Sequence, residues 1–185
     1  MILGIDISTS CTGFCVLNDE GALVNFSYVD LKKVENFFEK VKKVKFHIME
    51  LSIKYPIEEI VVEEFLQAFR TGFSSASTLF KLAKFNGIIQ WVCHDHFKMK
   101  TTSLNVNTAR KLTGIKITRK SDISTKDQVL NQVSEIIGEK YDWPKKILKS
   151  GPRKGQEIVD KNSYDMADAY VIAKARWIEK NKKIN

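Results

Sequence analysis

Cysteine, proline and histidine are scarce in this chain, and long apolar runs are missing altogether. The three cysteines, Cys11, Cys15 and Cys93, form no Cys-x-x-Cys pair and show no zinc spacing. They are expected to be free thiols of a reducing compartment rather than a disulfide framework. His94-Asp95-His96 is not expected to bind zinc, because no cysteine or third histidine completes a tetrahedral set. The triplet ends a helical stretch, where histidine commonly acts as a cap. No apolar run reaches the length of a membrane span. The opening MILGIDI has no basic leader and soon meets Asp6, so it is expected to be a strand and not a signal peptide. No internal repeat is present.

What remains is the composition of an ordinary globular protein, 43% hydrophobic and 10% aromatic, which excludes a disordered chain. Its 185 residues fit one domain, 1–185, with enough mass for a proper core. Thirty basic residues against 22 acidic leave a net charge of +8, which favours a polyanionic partner such as nucleic acid. Half of that surplus lies in 140–162, where seven basic residues stand against three acidic ones.

Three strands open the chain: ILGID, TGFCVLN and ALVNFSYVD, the last two joined by the turn NDEG. Gly13 marks the return into the second. An amphipathic helix is expected over 34–55, where Phe37, Val41, Val44, Ile48, Leu51 and Tyr55 alternate at spacings of four and three. Pro56 closes it, and EEIVVEEF follows as a short buried strand. A loop is expected over 66–75, a helix over 76–93, a strand over 98–106, and short helices over 107–113 and 125–138. The segment 140–162, with two prolines and two glycines, shows no regular pattern, and a last helix runs from about Ser163 to Lys180. The fold class is α/β, a mixed sheet with helices on its faces.

Against this background four acids stand out. Asp6 falls inside the first strand, Glu63 ends the run IVVEEF, and Asp165 and Asp168 open the last helix. A carboxylate inside an apolar strand is costly unless positive charge compensates it, and several hard oxygen ligands converging on one point suit Mg²⁺. Asp165 and Asp168, three apart, share one helix face. Acids near a helix start also suit the helix dipole, but that leaves Asp6, a residue type depleted in strands, without a reason. Strand alternation points Glu63 and its neighbour Glu64 opposite ways.

These segments together resemble RuvC-type Holliday junction resolvases of the RNase H-like nuclease superfamily. ILGIDISTSCTGFCVL is similar to that family's first two strands, and VVEEFLQAF to its strand ending in a catalytic glutamate. STKDQV resembles its lysine-bearing segment, and DMADAYVIA its Asp-x-x-Asp-Ala helix. The matches run in order over 1–175. The resemblance implies an RNase H-like sheet with three antiparallel N-terminal strands and parallel strands beyond, and it picks Glu63 over Glu64. It further implies that Asp6, Glu63, Asp165 and Asp168 hold two Mg²⁺ ions, with Mn²⁺ able to substitute, and that Lys126 contacts the scissile phosphate or stabilises charge there. A solvated helix start is the alternative for Lys126.

The implied function is a homodimeric endonuclease that resolves four-way DNA junctions by paired symmetric nicks, leaving 5′-phosphate and 3′-hydroxyl ends. A broader branched-DNA nuclease, acting on flaps or forks, is the alternative. The first long helix and the 76–93 helix offer candidate dimer surfaces. Phe69 and Phe73, flanking Arg70, are candidates to meet bases in the loop after Glu63, where Phe65 also lies. Arg119 and Lys120, with Lys145, Lys146, Arg153 and Lys154 of the 140–162 segment, are candidates for backbone phosphates. That segment looks longer than the corresponding link in bacterial resolvases. GIDISTS also resembles the phosphate hairpin of actin-like ATPases and sugar kinases. Those need a second lobe and a second Gly-rich loop, and with nine glycines here neither is visible, so no nucleotide cofactor is expected. A cytoplasmic protein of a cell or of a phage acting in its host is expected, with no membrane partner.

Overall fold

The computed structural model describes residues 1–64, 76–138 and 141–182. β1 (Ile2–Asp6), β2 (Cys11–Leu17) and β3 (Leu23–Asp30) form an antiparallel meander. After α1 (Phe37–Lys54), β4 (Glu59–Glu63) pairs parallel with β1. After α2 (Ala76–Phe97), β5 (Thr102–Leu104) pairs parallel with β4, which gives one sheet in the order β3-β2-β1-β4-β5. α3 (Val106–Thr113), α4 (Thr125–Ile137) and α5 (Asn162–Lys182) complete the chain, with a separate hairpin of β6 (Lys145–Ile147) and β7 (Glu157–Val159) between the last two.

Strand alternation divides the apolar residues between two cores. Leu3, Ile5, Phe14, Ile60 and Val62 pack with Val44, Ile48 and Leu51 of α1 and with Phe85, Ile89 and Cys93 of α2. Ile2, Cys15, Leu17, Phe26 and Val61 point the other way, onto Met166, Ala169, Tyr170 and Ala173 of α5, with α3 and α4 behind. The expected mixed sheet with helices on both faces is therefore present. All three cysteines are free and buried. Among the described residues no helix is long and apolar enough to cross a membrane.

Several boundaries differ from the sequence reading. α1 starts at Phe37, not 34, because the Asn36 side chain accepts from the Phe38 and Glu39 amides at 2.9 and 3.1 Å and caps the helix there. β5 keeps only three of the nine residues in 98–106, since Asn105 already caps α3. α2 runs on to Phe97, carrying His94 and His96 inside its last turn. His94 Nδ1 lies 3.1 Å from the Met99 carbonyl and His96 Nε2 lies 2.7 Å from Ser52 Oγ, so both rings are engaged in local packing. The segment 140–162 is not irregular throughout, since it contains the β6–β7 hairpin. Tyr141 and Trp143 pin the base of that hairpin against Phe26, at ring separations of 4.9 and 5.1 Å.

Candidate active site

The parallel register of β1 and β4 sets the first two acids side by side. Ile5 pairs with Val62, and one step further along the two strands stand Asp6 and Glu63. Alternation places both on the α5 side, with Ile2 and Val61. Glu64 points away, is exposed, and accepts from Asn105 Nδ2 at 3.4 Å.

Two glycines let α5 lie directly on the strands. A Cβ on Gly13, the residue paired with Asp6, would run into the Asp165 carbonyl, and one on Gly4 would come within 2.7 Å of Ala173 Cβ. Without side chains there, the first turns of α5 press against the end of the sheet. Asp165 and Asp168 are thereby brought over Asp6. Three elements far apart in sequence thus deliver four carboxyl groups to one place.

Their mutual effect is strong. Burial pushes the Asp6 carboxyl well above the usual carboxylate range, and the charges of Asp168, Glu63 and Asp165 push it further. Burial also raises Glu63, with Asp168 adding to the effect, while a hydrogen bond from Asp6 opposes it. Asp165 and Asp168 are raised by burial as well. Compensation comes from three cations. Arg110 of α3 holds Asp168 Oδ1 at 3.5 Å, and Lys126, the second residue of α4, stands 3.9 Å from Asp165 Oδ1. Lys126 draws down all four carboxyls. The Cys11 thiol is hydrogen-bonded to Asp165, and Lys32 acts on that carboxyl from α5's other flank while donating to Asn162 Oδ1 at 2.6 Å.

Four part-buried acids facing three cations leave an excess of negative charge, and hard oxygen donors of this kind fit divalent Mg²⁺ or Mn²⁺. Among the described residues no three acidic, His or Cys side chains are closed around a single point in a way that would hold an ion. Asp6 and Glu63 are instead linked to each other, and Asp168 is turned to Arg110. The donor set fits the cation in chemistry and charge.

The electrostatics give a first prediction. A carboxyl raised by folding binds its proton more tightly in the native state, so stability declines as pH climbs from the unfolded towards the folded value. In the absence of divalent ions, wild type should lose stability relative to Asp6→Asn as pH rises above about 4, by about 1.4 kcal/mol per pH unit while native Asp6 keeps the proton that the unfolded chain has lost, and the loss should level off once native Asp6 ionises. The two should converge in acid, where Asp6 is neutral. Urea unfolding of both proteins in EDTA across pH 4–8 checks this, and a wild type more stable than the variant at pH 8 contradicts it.

The other expected site residues are dispersed. Arg119 and Lys120 lie exposed in the turn before α4. Lys145 and Lys146 sit on β6 and are paired with acids: Lys145 with Asp142 at 3.0 Å and Glu157 at 4.0 Å, Lys146 with Asp160 at 3.6 Å. Arg153 and Lys154 lie in the exposed turn of the hairpin. Phe69, Arg70 and Phe73, like Phe65, are outside the described residues. Arg110 and Lys32 were not among the expected site residues. Arg110 falls in a short helix whose sequence carries no motif, and only an arginine beside the buried Ala109 hinted at it.

Sheet order, parallel β1–β4 pairing and the α5 layer define an α/β RNase H-like fold. The chain is similar throughout its length to solved Holliday junction resolvases. Thermus thermophilus RuvC in complex with a Holliday junction substrate matches with a TM-score of 0.65 and 18% identity, over 98% of this chain and 94% of that one. A structure of Thermus thermophilus RuvC matches with a TM-score of 0.62, 18% identity, and 98% and 96% coverage. The yeast mitochondrial Holliday junction resolvase matches with a TM-score of 0.57 and 19% identity, over 98% of this chain and 80% of that one. No protein-family model matches the chain, and no curated protein sequence matches it.

Proposed function

We propose that this chain is a metal-dependent endonuclease of the resolvase type, cutting four-way DNA junctions by paired nicks. The observation that carries the reading is the gathering of four part-buried carboxyls from β1, β4 and α5 on a fold shared end to end with junction resolvases. Asp6, Glu63, Asp165 and Asp168 would hold two Mg²⁺ ions. Bound ions of this kind activate water and stabilise a leaving oxygen, which leaves 5′-phosphate and 3′-hydroxyl ends. Arg110 keeps Asp168 in place and offsets its charge. Lys126, 59% exposed at its side chain, has an ammonium that can reach both the acids and an incoming phosphate.

A homodimer suits a two-fold-symmetric junction. Its support here is the outer face of α2, where Phe80 and Trp91 are 74% and 61% exposed. The protein is proposed to act in the cytoplasm of its own cell or of an infected host.

The test compares synthetic four-way junctions, flaps and linear duplex with Mg²⁺ or Mn²⁺, alongside the sedimentation mass of the protein. Paired symmetric nicks on the junction, none in EDTA, and a two-chain mass are expected. Equal cutting of linear duplex would remove the resolvase reading and keep a nuclease. Efficient cutting of flaps would broaden the substrate to branched DNA.

A further inference from the structure

The charges of the β6–β7 hairpin are segregated along its length. All three acids of the segment sit on its base and strands, where Asp142, Glu157 and Asp160 pair with Lys145 and Lys146. The turn 149–154 carries Lys149, Arg153 and Lys154 and no acid. Among the described residues none of these three cations has an acidic partner, and Arg153 donates only to Gln156 Oε1 at 2.8 Å.

The turn is nevertheless ordered. Leu148 and Gln156 extend the ladder through a 3.0 Å amide bond, Gly155 donates to the Leu148 carbonyl at 2.8 Å, and Lys154 donates to Gly151 at 3.0 Å. Gly151 and Gly155 supply the positive φ angles of 83° and 86° that close it. Residues 149–157 are exposed throughout, so the hairpin stands out from the body.

Its base is fastened next to the acids. Asp160 accepts from the Asn162 amide at 2.9 Å and donates its own amide to the Pro144 carbonyl at 2.7 Å, five residues before Asp165. Trp143 Nε1 donates to Ser134 Oγ at 2.8 Å, tying the other strand to α4. An antiparallel ladder rising about 3.4 Å per residue carries the tip roughly 15 Å from the start of α5. At about 3.4 Å per nucleotide along a strand, that is a span of roughly four or five nucleotides.

We infer that the hairpin is a rigid arm whose tip cations, Lys149, Arg153 and Lys154, hold backbone phosphates of a duplex arm about four or five nucleotides from the cut. The strand lysines, already paired, serve the hairpin itself. This inference rests on the junction-cutting reading and adds a second DNA contact, fixed at a set distance from the catalytic acids.

The test measures junction affinity against salt concentration in EDTA, where no cutting occurs. Lys149→Ala, Arg153→Ala and Lys154→Ala combined should make the slope of log affinity against log salt shallower by about 3 and weaken binding by roughly tenfold or more at low salt. Wild type on a junction with uncharged methylphosphonates about four or five nucleotides from the cut should lose as much, and the triple variant should lose nothing further on that junction. Trp143 fluorescence and melting temperature report whether the hairpin stays docked. If it does not, the wild-type methylphosphonate result decides. Unchanged slopes in a wild type that cuts junctions overturn the hairpin's role alone. A wild type that cuts no four-way junction removes the functional reading instead.

Discussion

Replacing Asp6 by asparagine is expected to reduce metal-dependent cutting of a four-way junction by about a thousandfold or more, while binding is retained. Asp6 is the acid on which the other three act together, and it lies at the point where β1, β4 and α5 meet. Asparagine keeps the side-chain shape and one carbonyl oxygen but removes the negative charge that a divalent ion requires. Phosphate contacts made elsewhere are untouched, and losing an anion from the face that DNA approaches should if anything tighten binding. Single-turnover cleavage at saturating protein separates the two effects. Activity within tenfold of wild type would mean that the carboxyl of residue 6 has no part in the chemistry, and the nuclease reading would go with it.

How far the site can be read from sequence differs from residue to residue. Asp6 and Glu63 are legible because an acid that closes an apolar strand run has few structural reasons to be there. The choice between Glu63 and Glu64 needs the third dimension, since alternation says only that they point opposite ways, and α5 decides which face becomes the site. Asp165 and Asp168 are legible as a pair on one helix face, but their approach to β1 is not. Gly13 reads in sequence as the start of a strand, whereas its structural part is to remove a side chain from the path of α5.

Arg110 shows the other limit. A lone arginine in an eight-residue helix has no periodic signature, and its pairing with Asp168 spans 58 residues of chain. The β6–β7 hairpin is hidden for a related reason. Strands of three residues are too short for alternation to show, and the segment's glycines and prolines mask a ladder whose turn the glycines in fact close. The sheet, with its short apolar strand runs, is therefore readable from sequence, while the elements that arm the site are placed by contacts between distant parts of the chain.

Adding a single methyl group at residue 13 should disturb both the fold and the site. In Gly13→Ala the new Cβ meets backbone atoms of Asp165 and Met166, so rotating a side chain cannot relieve the clash. Either β2 or the first turn of α5 must move. Overpacking against backbone at a buried contact places the loss at about 3 kcal/mol or more, a fall in melting temperature of roughly 6–12 °C for a chain of this size. Any shift also carries Asp165 and Asp168 away from Asp6 and Glu63, and displacement of a reacting group by about 1 Å is enough for a hundredfold loss of rate. Gly87→Ala is the matched control. That glycine lies inside α2 with open space around its Cβ position, so the same methyl should stabilise by about 0.5–1 kcal/mol through helix propensity. Melting curves of the two variants, with cleavage rates measured well below either transition, separate the site-specific effect from a general one. If Gly13→Ala melts with wild type and cuts at its rate, α5 does not rest on β2 as described, and the assembly of the four acids loses its basis.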